Sequence, residues 1–204
     1  MINAKGRDIM SKNKVTDIVF ILDRSGSMHG MEADTIGGYN SYISDIKDKN
    51  SKITTVLFDN EYEMITKREN VSKVSKLTKK EYYVRGCTAL MDAIGNSIEF
   101  MEKEKAEKVI FVITTDGYEN ASKKYTKEQI KEMIKGHSNW EFMYVGADID
   151  SYSEAESIGI ERKNVANYKK SSSGTSKMFK AMSKATEDFC LNDCVDTSWK
   201  KELD

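Results

Sequence analysis

The chain has 204 residues, with 32 basic and 33 acidic side chains and a net charge of −1, which predicts one globular domain. Because the charges are balanced, we expect neither nucleic acid nor an anionic membrane surface as the partner. No apolar run reaches the roughly 18 residues of a transmembrane helix. The first residues are polar and lack the apolar centre of a signal peptide, so we expect a cytoplasmic protein. Its oligomeric state stays open.

Runs of apolar and β-branched residues predict five strands, at 15–22, 52–58, 108–114, 141–146 and, more weakly, 163–168. The first and third runs are nearly continuous, which is typical of parallel strands buried on both faces. Helical periodicity lies between the runs, at 32–48, 88–104, 126–136, 151–158 and 176–190. Thr126 and Gln129 have the spacing of a capping box at the start of the third helix. Alternating strands and helices predict a doubly wound α/β sheet with helices on both faces.

One segment interrupts this alternation. Residues 62–68 have strand character and follow the second strand after a short polar turn of Asp59, Asn60 and Glu61. So short a connection permits only antiparallel pairing. We therefore predict a mostly parallel central sheet with one antiparallel edge strand.

The domain is expected to span residues 15–190, with a polar N-terminal extension at 1–14 and a C-terminal tail at 191–204. Within the tail, Trp199 is a candidate anchor. The three cysteines have neither the spacing of a disulfide framework nor that of a zinc site. We expect them to be free thiols, as in a reducing compartment.

Small oxygen-bearing side chains follow two of the predicted strands. Asp23 ends the first strand and precedes Ser25 and Ser27, and Asp116 ends the third. Ligands of open α/β sheets bind beyond the carboxyl ends of the strands, where the order of winding reverses. If these two strands are neighbours, their carboxylates face each other, and Thr88, at the start of a helix, completes the rim.

The residue types at this rim favour a hard cation. Two carboxylates held close together repel each other unless a cation lies between them. Hydroxyl and carboxylate oxygens select Mg²⁺ rather than zinc or copper. The sequence therefore predicts a site for Mg²⁺, with Mn²⁺ or Ca²⁺ as alternatives, and its predicted ligands are Asp23, Ser25, Ser27, Thr88 and Asp116.

These segments resemble the metal-ion-dependent adhesion site of von Willebrand factor type A (VWA) domains. "DRSGS", the Thr of "GCTALMDAIG" and the Asp of "ITTDGYEN" correspond to its three parts, in family order. "DTIGGYNSYI" and "GTSKMFKAMS" are similar to compact intracellular bacterial and phage members. One departure is Val84-Arg85, which stands where the family pattern has a proline.

The resemblance implies a role for each residue of the site. Ser25, Ser27 and Thr88 would give hydroxyl oxygens to the metal, and the two aspartates would act mostly through bound waters. A metal with so little direct negative charge attracts a carboxylate from a partner. The resemblance also implies that binding can shift the last helix, and a fixed helix is the alternative.

The leading interpretation is a binding module, not an enzyme, that captures an Asp or Glu side chain of a partner protein through Mg²⁺. One alternative is a Mg²⁺-dependent phosphotransferase or phosphatase with Asp23 as nucleophile. Dehalogenase-like phosphatases have a second Asp two positions later, where this chain has Ser25. Another alternative is a scaffold protein with a vestigial metal site. Nucleotide-binding and serine-hydrolase motifs do not occur in the sequence.

Polar residues beside the site have plainer interpretations. Arg24 is expected to point to solvent or to a partner. Asp92 either hydrogen-bonds to the first loop or lies on a solvated helix face. Glu119 and Asn120 are expected to hold the loop that follows Asp116.

Overall fold

The computed structural model describes residues 14–47 and 49–203. The elements in chain order are β1 (Thr16–Asp23), α1 (Glu32–Ile46), β2 (Ser51–Phe58), β3 (Tyr62–Asn70), α2 (Leu90–Lys103), β4 (Val109–Thr115), α3 (Lys127–Gly136), β5 (Glu141–Gly146), α4 (Ser151–Ser157), β6 (Val165–Asn167) and α5 (Ser172–Asn192). Each predicted strand and helix is present, and α5 begins one turn earlier than its periodicity predicts. Within this described part, no helix combines the length and apolarity needed to cross a membrane.

The strands form one sheet in the order β3-β2-β1-β4-β5-β6. Every neighbouring pair is parallel except β2 and β3, which are antiparallel. The predicted doubly wound sheet with one antiparallel edge strand is therefore confirmed. Every residue of β1 and β4 is buried, as their continuous apolar runs indicate. The winding order reverses between these two central strands.

Each face of the sheet has its own core and its own helices. The cluster on one face contains residues of α1 and α5, and the cluster on the other face contains residues of α2, α3 and α4. The predicted capping box at the start of α3, between Thr126 and Gln129, is also confirmed. Helices therefore cover both faces and leave the carboxyl edge of the sheet to loops.

Close packing of α1 on α5 depends on a glycine. A Cβ added at Gly38 would lie 2.0 Å from a ring carbon of Phe179, so this position admits no side chain. The ring of Phe20 in β1 packs edge-on against Tyr42, whose hydroxyl lies 2.9 Å from Thr186 Oγ1. The two helices are thereby fixed to each other across the centre of the sheet.

The C-terminal segment packs against the domain. Trp199 is buried, and its indole Nε1 donates a hydrogen bond to the carbonyl of Lys163 at 3.1 Å. Lys200 donates to the carbonyl of Val165 at 2.7 Å. The candidate anchor thus reaches the turn before β6. At the other end, the predicted extension at 1–14 lies outside the described residues apart from Lys14.

Candidate metal centre

The predicted site residues lie where β1 and β4 end side by side. The register pairs Leu22 with Thr114, so the segments that carry Asp23 and Asp116 leave the sheet at the same edge. This is the point where the winding order reverses, which is where open α/β sheets bind ligands. The expectation that β1 and β4 are neighbouring strands is confirmed. Metal ligation by these side chains stays a prediction.

Asp23 is fully buried and has a partner for each carboxylate oxygen. Its Oδ1 accepts from the backbone N–H of Ser25 at 2.7 Å, and its Oδ2 accepts from Thr115 Oγ1 at 2.6 Å. Burial raises the pKa of Asp23 to about 6 although these hydrogen bonds lower it, and the charge of Asp116 raises it further. The hydrogen bonds hold the carboxylate in one orientation beneath the first loop.

Three hydroxyl oxygens converge beside the backbone of Gly117. Ser25 Oγ and Ser27 Oγ are 3.0 Å apart. A Cβ added at Gly117 would lie 2.8 Å from Thr88 Oγ1, 3.1 Å from Ser27 Oγ and 3.8 Å from Ser25 Oγ. The structure therefore brings the three predicted hydroxyls together beside the Gly117 backbone, where a side chain at position 117 would collide with Thr88 Oγ1.

Asp116 differs from Asp23 in having almost no partners. Its side chain is fully buried, yet neither carboxylate oxygen accepts a hydrogen bond from a described residue. Oδ2 lies 2.8 Å from the ammonium of Lys170, in an ion pair without hydrogen-bond geometry. A buried carboxylate in this state has unused acceptor capacity.

Lys170 is a member of the site that the sequence interpretation missed. Besides the ion pair with Asp116, its ammonium donates a hydrogen bond to the carbonyl of Ser27. The residue follows β6, near one edge of the sheet, and no local motif marks it. Only its position just beyond the carboxyl end of a strand could have signalled it.

The loop after β4 holds Thr88 in place. Thr88 N–H donates to Asn120 Oδ1 at 2.9 Å, and Asn120 N–H donates back to the Thr88 carbonyl at 3.0 Å. Glu119 accepts from the backbone N–H of Met91 at 2.9 Å. The prediction that Glu119 and Asn120 hold this loop is confirmed, and the same contacts fix the start of α2.

Asp92 has a role that neither sequence alternative describes. Its carboxylate accepts from the backbone N–H groups of Lys123, Lys124 and Tyr125 at 2.9, 2.8 and 3.0 Å. Both expectations, a bond to the first loop and a solvated helix face, are wrong. Asp92 instead holds the segment between β4 and α3, because that segment crosses the first turn of α2.

The expectation that Arg24 points outward is also wrong. Its side chain is 0% exposed, Nε donates to Asp59 Oδ2 at 2.7 Å, and Nη1 donates to Glu63 Oε2 at 2.6 Å. Arg85 Nε donates to the same Asp59 oxygen at 2.9 Å and Arg85 Nη2 donates to Glu61 at 2.7 Å. We call these five residues the arginine cluster.

The arginine cluster explains how the loop before Thr88 is held without a proline. Burial raises the pKa of Asp59, but hydrogen bonds from Arg85, the backbone of Glu61 and Arg24 outweigh it and leave the pKa below its ordinary value. Arg85 N–H also donates to the Arg24 carbonyl at 2.9 Å. Arg85, from the Val84-Arg85 pair that departs from the family pattern, thus ties this loop to the first loop and to the β2–β3 turn.

The donor set of the candidate centre is oxygen only. Within residues 14–47 and 49–203, no three or more His, Cys, Asp or Glu side chains are grouped so as to hold a metal ion. The site offers two carboxylates and three hydroxyls. Any cation held there would be one that accepts neutral oxygen ligands and water, as Mg²⁺ does.

Comparisons with known proteins give structural likeness alone. No family model and no curated protein matches the sequence. A von Willebrand factor type A protein from Catenulispora acidiphila has a TM-score of 0.62 at 12% identity, over 85% of this chain and 42% of that one. Proximal thread matrix protein 1 of the mussel byssus, with a zinc-occupied MIDAS motif, has a TM-score of 0.60 at 19% identity, over 83% of this chain and 45% of that one.

A third structure, the manganese-loaded TRAP protein of Plasmodium vivax, has a TM-score of 0.57 at 18% identity, over 78% of this chain and 69% of that one. The present chain spans less than half of the length of the first two of these structures. Identities this low carry information about architecture and not about activity. The strand order, the antiparallel edge strand and these likenesses together show that the chain has the VWA fold.

Proposed function

We propose that this chain binds a divalent cation, Mg²⁺ in the first place, and uses it to capture a carboxylate of a protein partner. The observation that carries the proposal is Asp116, a fully buried carboxylate whose oxygens accept no hydrogen bond from a described residue. Among the described residues its charge is balanced by the partly exposed ammonium of Lys170, but leaving both oxygens of a buried carboxylate without a hydrogen bond is still costly. A divalent cation at this edge would remove that cost.

The residues present fit such a cation. Ser25, Ser27 and Thr88 would hold it through their hydroxyls, which already converge beside Gly117, and Asp23 and Asp116 would balance its charge. When bound, the cation supplies a positive centre that a carboxylate can approach. The zinc in the mussel protein and the manganese in the Plasmodium protein support a divalent ion in this fold.

Binding is favoured over phosphoryl transfer by the state of Asp23. A nucleophilic carboxylate needs a free oxygen directed at the substrate. Asp23 is 0% exposed, and each of its oxygens already accepts a hydrogen bond.

The proposal also covers the extent and location of the domain. It places a VWA domain over residues 15–190. This domain acts in the cytoplasm, as the compact bacterial and phage members do, and it binds its partner without catalysis.

The test is stabilisation by metal, compared between the wild type and Asp116→Ala. Mg²⁺ at about 100 times its dissociation constant should add about 2.7 kcal/mol to the free energy of unfolding of the wild type. Asp116→Ala should lose this increment. Asp45→Ala, at an exposed position of α1, is the matched control and should keep it.

If neither Mg²⁺ nor Mn²⁺ changes the free energy of unfolding of the wild type, the proposal is contradicted. The partner is tested with the same variants as bait in extracts of the native host. A protein retained by the wild type and by Asp45→Ala in Mg²⁺ should be released by chelator and absent with Asp116→Ala. Retention that ignores chelator would point to a scaffold with a vestigial site.

A further inference from the structure

We propose that Lys170 competes within the chain with the divalent cation, so that its ammonium must leave Asp116 before metal can bind fully. This inference rests on the proposed metal site and adds a residue that sets the affinity of that site. Its starting point is one contact, the 2.8 Å ion pair between Lys170 Nζ and Asp116 Oδ2.

The ammonium already does what a metal would do there. It joins the end of β4, through Asp116, to the first loop, through the Ser27 carbonyl. Asp116 accepts no hydrogen bond from the described residues. Among those residues, the positive charge of Lys170 balances the negative charge of the Asp116 carboxylate. A metal cation that binds Asp116 is therefore repelled by the ammonium already bound there, because two cations cannot share one buried carboxylate without repulsion.

The turn before α5 positions the Lys170 side chain at the metal centre. Ser171 caps α5 by accepting from Gly174 N–H at 3.1 Å, and Ser171 N–H donates to the Lys169 carbonyl at 2.8 Å. A Cβ at Gly174 would lie 1.9 Å from the Lys169 carbonyl oxygen, so a glycine is required for so tight a turn. The backbone at 169–174 therefore holds Lys170 at the edge of the centre.

The same side chain is free to leave. Lys170 is 24% exposed while Asp116 is 0% exposed. Rotation about the four-carbon stem of a lysine moves its ammonium into solvent without repacking the core. Displacement therefore costs the ion pair and the hydrogen bond to the Ser27 carbonyl but no core packing, which makes Lys170 a competitor that weakens metal binding rather than one that prevents it.

The experiment measures the dissociation constant for Mn²⁺ by calorimetry at fixed ionic strength, in the wild type and in Lys170→Met. Removing the competing charge should tighten binding by about 5- to 50-fold. Lys169→Met is the matched control, because Lys169 is adjacent, exposed and has the same charge. It reports the long-range effect of one lost positive charge and should change the constant by less than about twofold.

A second readout uses the intact wild type. Titration with Mg²⁺, followed by amide NMR, should shift the signals of residues 169–172 together with those of Ser25 and Ser27, because the displaced side chain releases its contact with the first loop. If Lys170→Met is too unstable to measure, Lys170→Gln takes its place in the calorimetry.

The outcomes separate the two proposals. Equal or weaker Mn²⁺ binding by Lys170→Met overturns competition and leaves the metal site standing. Tighter binding by Lys170→Met and Lys169→Met alike also overturns it, since net charge alone would then explain the gain. If neither the wild type nor any Lys170 variant binds Mn²⁺ or Mg²⁺, the metal site and the competition fail together.

Discussion

Two groups of buried charge lie at the same edge of the sheet and are satisfied in opposite ways. In the arginine cluster, Asp59 at the end of β2 accepts from the guanidinium groups of Arg24 and Arg85, and its pKa lies below its ordinary value. In the metal centre, Asp23 at the end of β1 accepts from a hydroxyl and an amide, and burial raises its pKa to about 6.

The difference shows what separates a structural group of charges from a candidate site. Fixed guanidinium groups balance the charge of Asp59 within the chain, although Arg24 Nη2 is buried without a hydrogen-bond partner among the described residues. The metal centre has neutral donors on one carboxylate and a single movable ammonium on the other, and it keeps acceptor capacity unused. Exposure does not distinguish the two groups, since Asp59 and Asp23 are 1% and 0% exposed. The identity of their partners does.

The largest expected effect comes from breaking the arginine cluster. Arg24→Met removes the buried cation and leaves Asp59 with the half-exposed Arg85 alone, so unfolding should become easier by about 3–5 kcal/mol. Urea denaturation in chelator measures this. Arg162→Met, which removes an exposed guanidinium paired with Glu156, is the control and should change stability by less than about 1 kcal/mol. A loss for Arg24→Met as small as the control's would remove the structural role of the cluster.

Removing a charge from the metal centre should have the opposite effect on stability, because loss of the Asp23 charge should stabilise the folded protein. The pKa of Asp23 is higher in the folded protein than in the unfolded chain. Protonation of Asp23 therefore stabilises the fold, and this stabilisation is fully present below pH 3.8 and is lost as the pH rises through about 6. At pH 7.5 the buried charge costs up to about 3 kcal/mol. Asp23→Asn in chelator should therefore be more stable than the wild type at pH 7.5.

The same comparison at lower pH checks the cause. The advantage of Asp23→Asn should shrink as the pH falls from 7.5 to 4, and urea titrations at several pH values follow it. Asp45→Asn, at an exposed position of α1, should show no such divergence. An Asp23→Asn variant that is less stable than the wild type at every pH would mean that Asp23 is a structural partner like Asp59.

The smallest effect is expected at the rim of the arginine cluster. Glu61 is 70% exposed and pairs with Arg85 Nη2 at 2.7 Å. Glu61→Gln keeps the backbone contacts of Glu61 with Asp59 and should cost less than about 1 kcal/mol in urea denaturation. A cost equal to that of Arg24→Met would show that the cluster acts as one network instead of depending on its buried members.

Local pattern was enough to predict the architecture, because the nearly continuous apolar runs of β1 and β4 differ from the helical periodicity of the segments around them. The short turn at Asp59 was enough to predict the antiparallel edge. The convergence of Asp23 and Asp116 followed from the rule that ligands bind beyond the carboxyl ends of strands. These inferences need only the order of elements along the chain.

Side-chain partners that lie far apart in sequence could not be predicted in this way. Arg24 was expected at the surface because its neighbours form a loop, yet its partner Asp59 is 35 residues away. Lys170 lies 143 residues from Ser27, whose carbonyl it contacts. Such pairs depend on which strands become neighbours and on where each loop turns, and no short motif encodes either.

The hydrogen bond between Thr115 and Asp23, which joins residues 92 positions apart, has a consequence for the rates of folding. The centre forms only after β1 has paired with β4 and the loops at their ends have closed, which are late steps for contacts of such long sequence separation. A cation bound there stabilises the native protein but not a transition state in which those loops are still open. It should therefore slow unfolding and leave the rate of folding almost unchanged.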